Sequence, residues 1–324
     1  MTTIKSVDFN KIPKGWFVIG KSSLIKKGNV KTIHYFDQEF VIYRGKNREI
    51  TILTPHCVHL GAHLGDGVIV NNCLRCPFHG WEYNSQGQVI KIPFTNTIPR
   101  RARKKTLPNK EINGFIFVYF THDNEPPIPF PIVSFLNQPH WKYSHVRESI
   151  IDASIYSISE NLGDKAHFPV VHDTFVSHAQ LDSFITEENN NLKAKLSVST
   201  KKGFCWRAQN IEITLKTLGG ISAAISQFHL FSFPSTSVHA LIFITPIDST
   251  SLLMTKIVAV ENKKNNFLNF LYNFITSRVI WQTIIEDSSI WEKRIVLDHP
   301  VLSSDDGPII PLRKWMAQFY PLKK

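Results

Sequence analysis

The sequence predicts two successive domains of different class, an all-β domain over residues 1–122 and an α+β domain over 123–324. Three observations predict it. Short runs of β-branched and aromatic residues, separated by turn residues, fill the first third. Then Asn124-Glu125-Pro126-Pro127-Ile128-Pro129-Phe130-Pro131 places four prolines in eight residues, which suits a linker and neither a helix nor a central strand. Beyond it, alternating segments give way to a long run with apolar residues three and four apart, the pattern of an antiparallel sheet closed by a C-terminal helix. A length of 324 residues agrees with two domains, at roughly 150 residues each.

In the first domain, strands are expected at Thr32–Phe36, Glu39–Arg44, Glu49–Leu53 and Gly114–Phe120. Tyr83–Val89 reads as a hairpin, with Gly87 at its positive-φ position. In the second, helical spacing runs from Ile151 to Ala166 and stops near Pro169. Strands follow at Lys193–Ser199, Phe204–Ala208, Glu212–Leu218, Val238–Thr245 and Leu252–Val260. The closing helix is expected from Phe267 to Val296, with Leu271, Phe274, Ile275 and Val279 on its apolar face.

Composition narrows the function classes. At 43% hydrophobic and 19% charged residues the chain is globular rather than disordered. Four cysteines are too few for a disulfide scaffold. No apolar run reaches the roughly 18 residues of a membrane span, and no apolar block follows the first lysines. A cytoplasmic location is therefore expected. The net charge of +11 is confined to the front of the chain: 18 Lys and Arg face 7 Asp and Glu up to Phe120, and 19 face 19 beyond it. Arg100, Arg101, Arg103, Lys104 and Lys105 concentrate it. Without a recognition helix or stacking platform beside them, they suit an acidic protein partner better than nucleic acid.

Cys57-Val58-His59 is followed after sixteen residues by Cys76-Pro77-Phe78-His79. Each half offers one thiolate and one imidazole on a tight turn. Cys57 and Cys76 suit one iron, and His59 and His79 the other, of a Rieske-type [2Fe–2S] cluster. Zinc is the rival for the same ligand types. It favours paired like ligands, and its foothold here is Cys73-Leu74-Arg75-Cys76. Cys73 and Cys205 read as packed free thiols, and His56 and His63 as turn or surface histidines.

The second constellation is Glu160-Asn161-Leu162-Gly163-Asp164-Lys165-Ala166-His167-Phe168-Pro169-Val170-Val171-His172. On a helix, Glu160, Asp164 and His167 share a face, and a break at Pro169 returns His172 toward His167. Two imidazoles and one carboxylate form the facial triad of mononuclear non-haem iron, with open positions for dioxygen. A buried structural histidine pair is the rival reading, and the preceding Cys–His motif favours the metal. The carboxylate is sought on the C-terminal helix. Ile280, Ile284, Asp287 and Trp291 make one apolar stripe, so Asp287 is the metal candidate, while Glu286 is expected on the polar face.

Cys57-Val58-His59-Leu60-Gly61 and Cys76-Pro77-Phe78-His79-Gly80-Trp81 resemble the Rieske domain family. Ala62 and Phe78 stand where some members carry a bridging disulfide, which implies the branch of ferredoxins and oxygenases. Gly15-Trp16, the run Cys76–Pro93, Glu111-Ile112-Asn113-Gly114, the prolines, the segment Glu160–Phe168, Glu286–Lys293 and the tail Asp306–Tyr320 extend the resemblance over nearly the whole chain. It is similar to the oxygenase component of Rieske non-haem iron oxygenases, in the 3-ketosteroid 9α-hydroxylase and cholesterol 7-desaturase branch. The resemblance implies a helix-grip catalytic domain. It implies His167, His172 and Asp287 as Fe(II) ligands, and Asp164 and Asn161 as catalytic residues. Asp164 would bond a Rieske histidine of the next subunit in a homotrimer. Segment Val176–Asn191 differs from the steroid hydroxylases.

The expected reaction is hydroxylation of a hydrophobic, steroid-like or polycyclic molecule by O2. Desaturation and O- or N-demethylation are open to the same centres, and a Rieske electron carrier or a zinc-binding module is the rival from another class. No G-x-G-x-x-G follows a strand, so electrons from NAD(P)H are expected through a separate reductase or ferredoxin docking on the basic first domain. Phe168, Phe175, Phe204, Trp206, Phe228 and Phe243 are candidate pocket or core aromatics.

Overall fold

The structure is a computed structural model. It describes residues 7–123, 125–130, 141–143, 146–186, 191–201, 210–217, 220–232, 235–261 and 265–323. The expected strand Phe204–Ala208, with Cys205 and Trp206, lies outside the described residues, as do Asn124 and Pro131 of the linker and the side chain of Phe228.

The chain divides into two compact units, Trp16–Phe120 and Met1–Gly15 with Thr121–Lys324. One division falls after Phe120. Residues 7–15 belong instead with the larger unit, because their partners are far along the chain. Val7 bridges Leu322, the Asp8 amide donates to the Pro321 carbonyl at 2.9 Å and the Lys14 amide to the Phe319 carbonyl at 2.7 Å. No local periodicity announces such pairing.

The smaller unit is all β: β1 (Gly15–Lys21), β2 (Val30–Tyr35), β3 (Gln38–Arg44), β4 (Ile50–Leu53), β5 (Val68–Val70), β6 (Cys73–Arg75), β7 (Glu82–Tyr83), β8 (Val89–Lys91), β9 (Asn109–Ile112) and β10 (Phe115–Phe120). They form antiparallel sheets β1-β10-β9, β2-β3-β4 and β5-β6-β7-β8. Val41, Tyr43, Leu53, Leu64, Leu74 and Tyr83 make one core cluster, and Cys57, Cys76 and Trp81 belong to it. The loops bearing the Cys–His pairs are thus seated on packed side chains.

The larger unit carries β11 (Trp141–Tyr143), β12 (Arg147–Ile151), β13 (Val176–Thr186), β14 (Leu192–Thr200), β15 (Asn210–Thr217), β16 (Ala223–Ser232), β17 (Ser235–Pro246) and β18 (Leu252–Glu261). The sheet is antiparallel in the order β11-β18-β17-β16-β15-β14-β13, with β12 also on β18. Its helices are α1 (Ile155–Ser159), α2 (Phe168–Val171), α3 (Asn266–Trp291) and α4 (Ile309–Met316). The Asn265 side chain accepts from the Phe267 and Leu268 amides and starts α3. Tyr272 packs against Val238, Val258 and Val260 on the sheet. No described helix is long and apolar enough to cross a membrane.

Two expectations about helices are corrected. Helical spacing over Ile151–Ala166 becomes only α1 and a 3-10 turn over Glu160–Leu162. The Asp164 carboxylate then competes for the backbone, accepting from the Ala166 amide at 2.9 Å and the His167 amide at 3.2 Å. Pro169 lies in the first turn of α2, where its fixed φ starts a helix instead of stopping one. In α3, Phe274 is half exposed rather than on the apolar face.

Candidate metal centres

The two Cys–His loops are built alike. The Gly61 amide donates to the Cys57 carbonyl at 3.0 Å, and the Gly80 amide to the Cys76 carbonyl at 3.2 Å. The Cys57 amide donates to Ala62 and the Cys76 amide to Trp81, at 2.8 and 2.9 Å. Each loop turns on a glycine of positive φ, +77° at Gly61 and +71° at Gly80. The turns direct both thiols inward, where they are buried, and set the His59 and His79 rings 4.7 Å apart.

Trp81 stacks on His59 at 4.7 Å, with the ring planes 7° apart. The Tyr83 hydroxyl lies 3.0 Å from Cys57 Sγ and accepts from the Val58 amide at 3.1 Å. Toward a Cys57 thiolate, which carries no proton, the Tyr83 hydroxyl would be the donor. Burial, and then the Cys57 sulfur, push the Tyr83 phenol above its ordinary value. Burial likewise pushes up the Cys76 thiol. His59 Nδ1 is buried without a hydrogen-bond partner among the described residues, as suits an atom that has a metal to bind. Two thiolates and two imidazoles, each half mixed, fit a Rieske cluster. Cys73, on β6, pairs across the sheet with Val70.

In the larger unit, His167, His172 and Asp287 each offer one ligand atom, all within 4.8 Å of one another. They arrive from a turn, the end of α2 and the C-terminal part of α3. The turn is fixed from below. Glu160, buried, accepts from Tyr156 Oη at 2.6 Å and Arg313 Nε at 2.7 Å, and also pairs with Arg294. Gly307 seals the turn on the other side: at φ +104°, a Cβ there would meet the Gly163 carbonyl oxygen at 2.2 Å.

His172 is buried between two carboxylates. Its Nδ1 is 2.9 Å from Glu286 Oε2 and its Nε2 is 3.5 Å from Asp287 Oδ1. Burial opposes the charged ring, but hydrogen bonding and charge from Asp287, and then from Glu286, hold its pKa above the ordinary value. Glu286 is therefore no polar-face residue, contrary to the sequence expectation. Asp287 and Glu286 lie about 100° apart on the helix, and the longer side chain reaches the far nitrogen. The adjacency of two carboxylates beside the stripe was the available signal.

His167 Nδ1 lies 3.6 Å from Asp164 Oδ2 and is buried without a hydrogen-bond partner among the described residues. Burial would raise the Asp164 carboxyl, yet His167 and the His167 and Ala166 amides hold it low. Two imidazoles and a carboxylate whose ligand atoms already converge fit one divalent iron.

The triad opens into a cavity of about 270 Å³. Phe168, Val198, Ile213, Ile242, Met254 and Ile284 are among its walls, and among the described residues Asn161, Ser159, Thr200, Ser226 and Thr283 are its few polar side chains besides the triad. Phe175 lines it too; Phe243 is buried elsewhere. Asp164 stands outside, in a separate recess of about 200 Å³ where Glu160, Arg294 and Arg313 meet apolar residues such as Leu297 and Leu302.

Comparison with known proteins places these features. Residues 15–105 match the Rieske [2Fe-2S] domain, and residues 118–320 match the 3-Ketosteroid 9alpha-hydroxylase C-terminal domain. The chain is 28% identical to cholesterol 7-desaturase nvd of Drosophila melanogaster over 95% of this chain and 75% of that protein. It is 23% identical to a 3-ketosteroid-9-alpha-monooxygenase oxygenase component of Rhodococcus rhodochrous, over 99% and 87%. In fold it is similar to dicamba monooxygenase bound to 3,6 dichlorosalicylic acid, with TM-score 0.72, 16% identity and coverage of 98% of each chain. Pseudomonas putida CBB5 NdmB gives TM-score 0.75, 17% identity and coverage of 98% and 93%.

Proposed function

Since the chain belongs to the Rieske oxygenases that carry a 3-ketosteroid 9alpha-hydroxylase C-terminal domain, we propose that it is an oxygenase component that hydroxylates a hydrophobic, steroid-like substrate. One observation carries the reading: three convergent metal-ligand atoms open into a cavity walled almost wholly by hydrocarbon. Cys57, His59, Cys76 and His79 would hold the [2Fe–2S] cluster, and His167, His172 and Asp287 the Fe(II). When bound, these groups supply single electrons and the place where O2 is reduced.

The chain's own residues do the rest. Phe168, Ile213, Ile242 and Ile284 take an apolar molecule out of water and hold it by shape, since few polar groups oppose its sliding. Glu286 keeps the His172 Nδ1 proton and so presents Nε2 to the metal. Asp164 serves as the electron bridge to a Rieske histidine of the next subunit in a homotrimer. Its place outside the cavity supports that role, as do the exposed Leu60 and Phe78 beside the cluster histidines. Asn161, on the cavity wall beside the iron turn, is assigned to orient the substrate. Electrons from NAD(P)H arrive through a separate reductase or ferredoxin on Arg100, Arg101 and Arg103, all exposed.

Desaturation is the second reading, favoured by the 28% identity to a cholesterol desaturase. The holoprotein with a surrogate reductase, offered sterols, ketosteroids and smaller aromatics, tests both. Substrate-coupled oxygen uptake is expected, with one atom of 18O2 in the product for hydroxylation and none for desaturation. Absence of acid-labile sulphide, or turnover that survives H167A/H172A, overturns the reading.

A further inference from the structure

The first turns of α3 are inverted. Phe267, Phe270 and Phe274, at i, i+3 and i+7, are 69%, 66% and 50% exposed, while Asn269, Tyr272 and Thr276 are buried on the inner side. The Thr276 hydroxyl donates to the Tyr272 carbonyl at 2.6 Å, and Asn273 Nδ2 to the Asn269 carbonyl at 3.1 Å. The Phe270 and Phe274 rings stack at 6.1 Å. Arg278, one turn further on the same face, sets its guanidinium 5.7 Å from the Phe274 ring.

Three rings left this open amount to roughly 300–450 Å² of apolar surface. Patches of that size are often functional. Charge selects the occupant. Between residues 262 and 285 the sequence holds Lys263, Lys264 and Arg278 and no acidic residue. Aromatic rings on one helix face with Arg278 against them, in a stretch of sequence whose charged residues are all basic, suit the headgroup boundary of an anionic bilayer. The same helix continues into the cavity wall, with Val279, Ile280 and Ile284 ahead of Asp287.

We propose that this face of α3 seats the protein on an anionic lipid surface, where a substrate as apolar as the cavity would be dissolved. The seating rests on the helix; the delivery of substrate rests on the function proposed above.

The test is cosedimentation of the full-length holoprotein with vesicles of phosphatidylcholine, alone or with about 30% phosphatidylglycerol, at physiological salt. Wild type should pellet with the anionic vesicles. F267S/F270S/F274S should bind them about tenfold more weakly, with unchanged iron content, cluster spectrum and assembly mass. R278E should weaken binding to anionic vesicles only. Sedimentation indifferent to phosphatidylglycerol, or a triple variant that binds as wild type, overturns the proposal. So does a triple variant whose assembly mass falls, because the face would then be a subunit contact. Vesicle binding needs no turnover, so its failure is separable from failure of the oxygenase reading.

Discussion

Glu286 Oε2 lies 2.9 Å from His172 Nδ1 while its neighbour Asp287 reaches toward Nε2 of the same ring. One imidazole is thus held at both nitrogens by successive residues of one helix. The two carboxylates should separate on mutation. D287A should lose the mononuclear iron outright. E286A should keep the fold and bind Fe(II) about 10–100-fold more weakly, with E286Q in between, as read by iron per chain and chelator competition. Equal retention of iron in E286A and wild type would assign Glu286 no part in the site.

Tyr83 offers its proton to a Cys57 thiolate. A donor to a cluster sulfur stabilises the reduced, more negative state. Y83F should lower the reduction potential of the cluster, measured by voltammetry, while leaving the mononuclear iron in place. A potential at or above that of wild type would contradict the hydrogen bond.

The basic run has its own test. Reversal to Glu at Arg100, Arg101 and Arg103 should slow reduction by an acidic carrier by about tenfold or more at low salt and spare reduction by dithionite. Carrier kinetics that match wild type at every ionic strength would move the dock elsewhere.

Lys256 supplies a pH dependence. Its side chain is fully buried, donates to the Ser277 carbonyl at 2.7 Å and lies 5.1 Å from the Trp281 ring. Burial first, and the charge of Arg147 second, depress it from 10.5 to about 8. Between these values the unfolded chain binds more protons than the folded one, so stability contributed here rises with pH. The difference in urea midpoint between wild type and K256M should therefore shift in favour of wild type between about pH 7.5 and 9.5. A pH-independent difference would mean that Lys256 titrates normally.

What the sequence revealed follows from where its constraints are local. Cys57, His59, Cys76 and His79 announce themselves because each pair shares one tight turn. His167 and His172 do so because α2 is only four residues long. Asp287 was legible from its apolar stripe. The role of Glu286 was not, since a helix wheel assigns a face but not the reach of a side chain. Pro169 misled because the residue that breaks one helix also starts another. Phe274 misled because periodicity counts apolar residues without saying which face has a partner. Pairing of residues 7–15 with the tail left no local trace.

The clasp around the iron turn has a consequence for biogenesis. Gly163 is sealed by Gly307, and Glu160 is neutralised by Arg294 and Arg313. A ribosome must therefore translate through Arg313 before the ferrous pocket has all of its supports. The sulphur-ligand loops and their supporting core, by contrast, are complete by Phe120. Maturation is thus ordered in time: the cluster can be inserted into a nascent chain, while the single iron must wait for the tail to fold back.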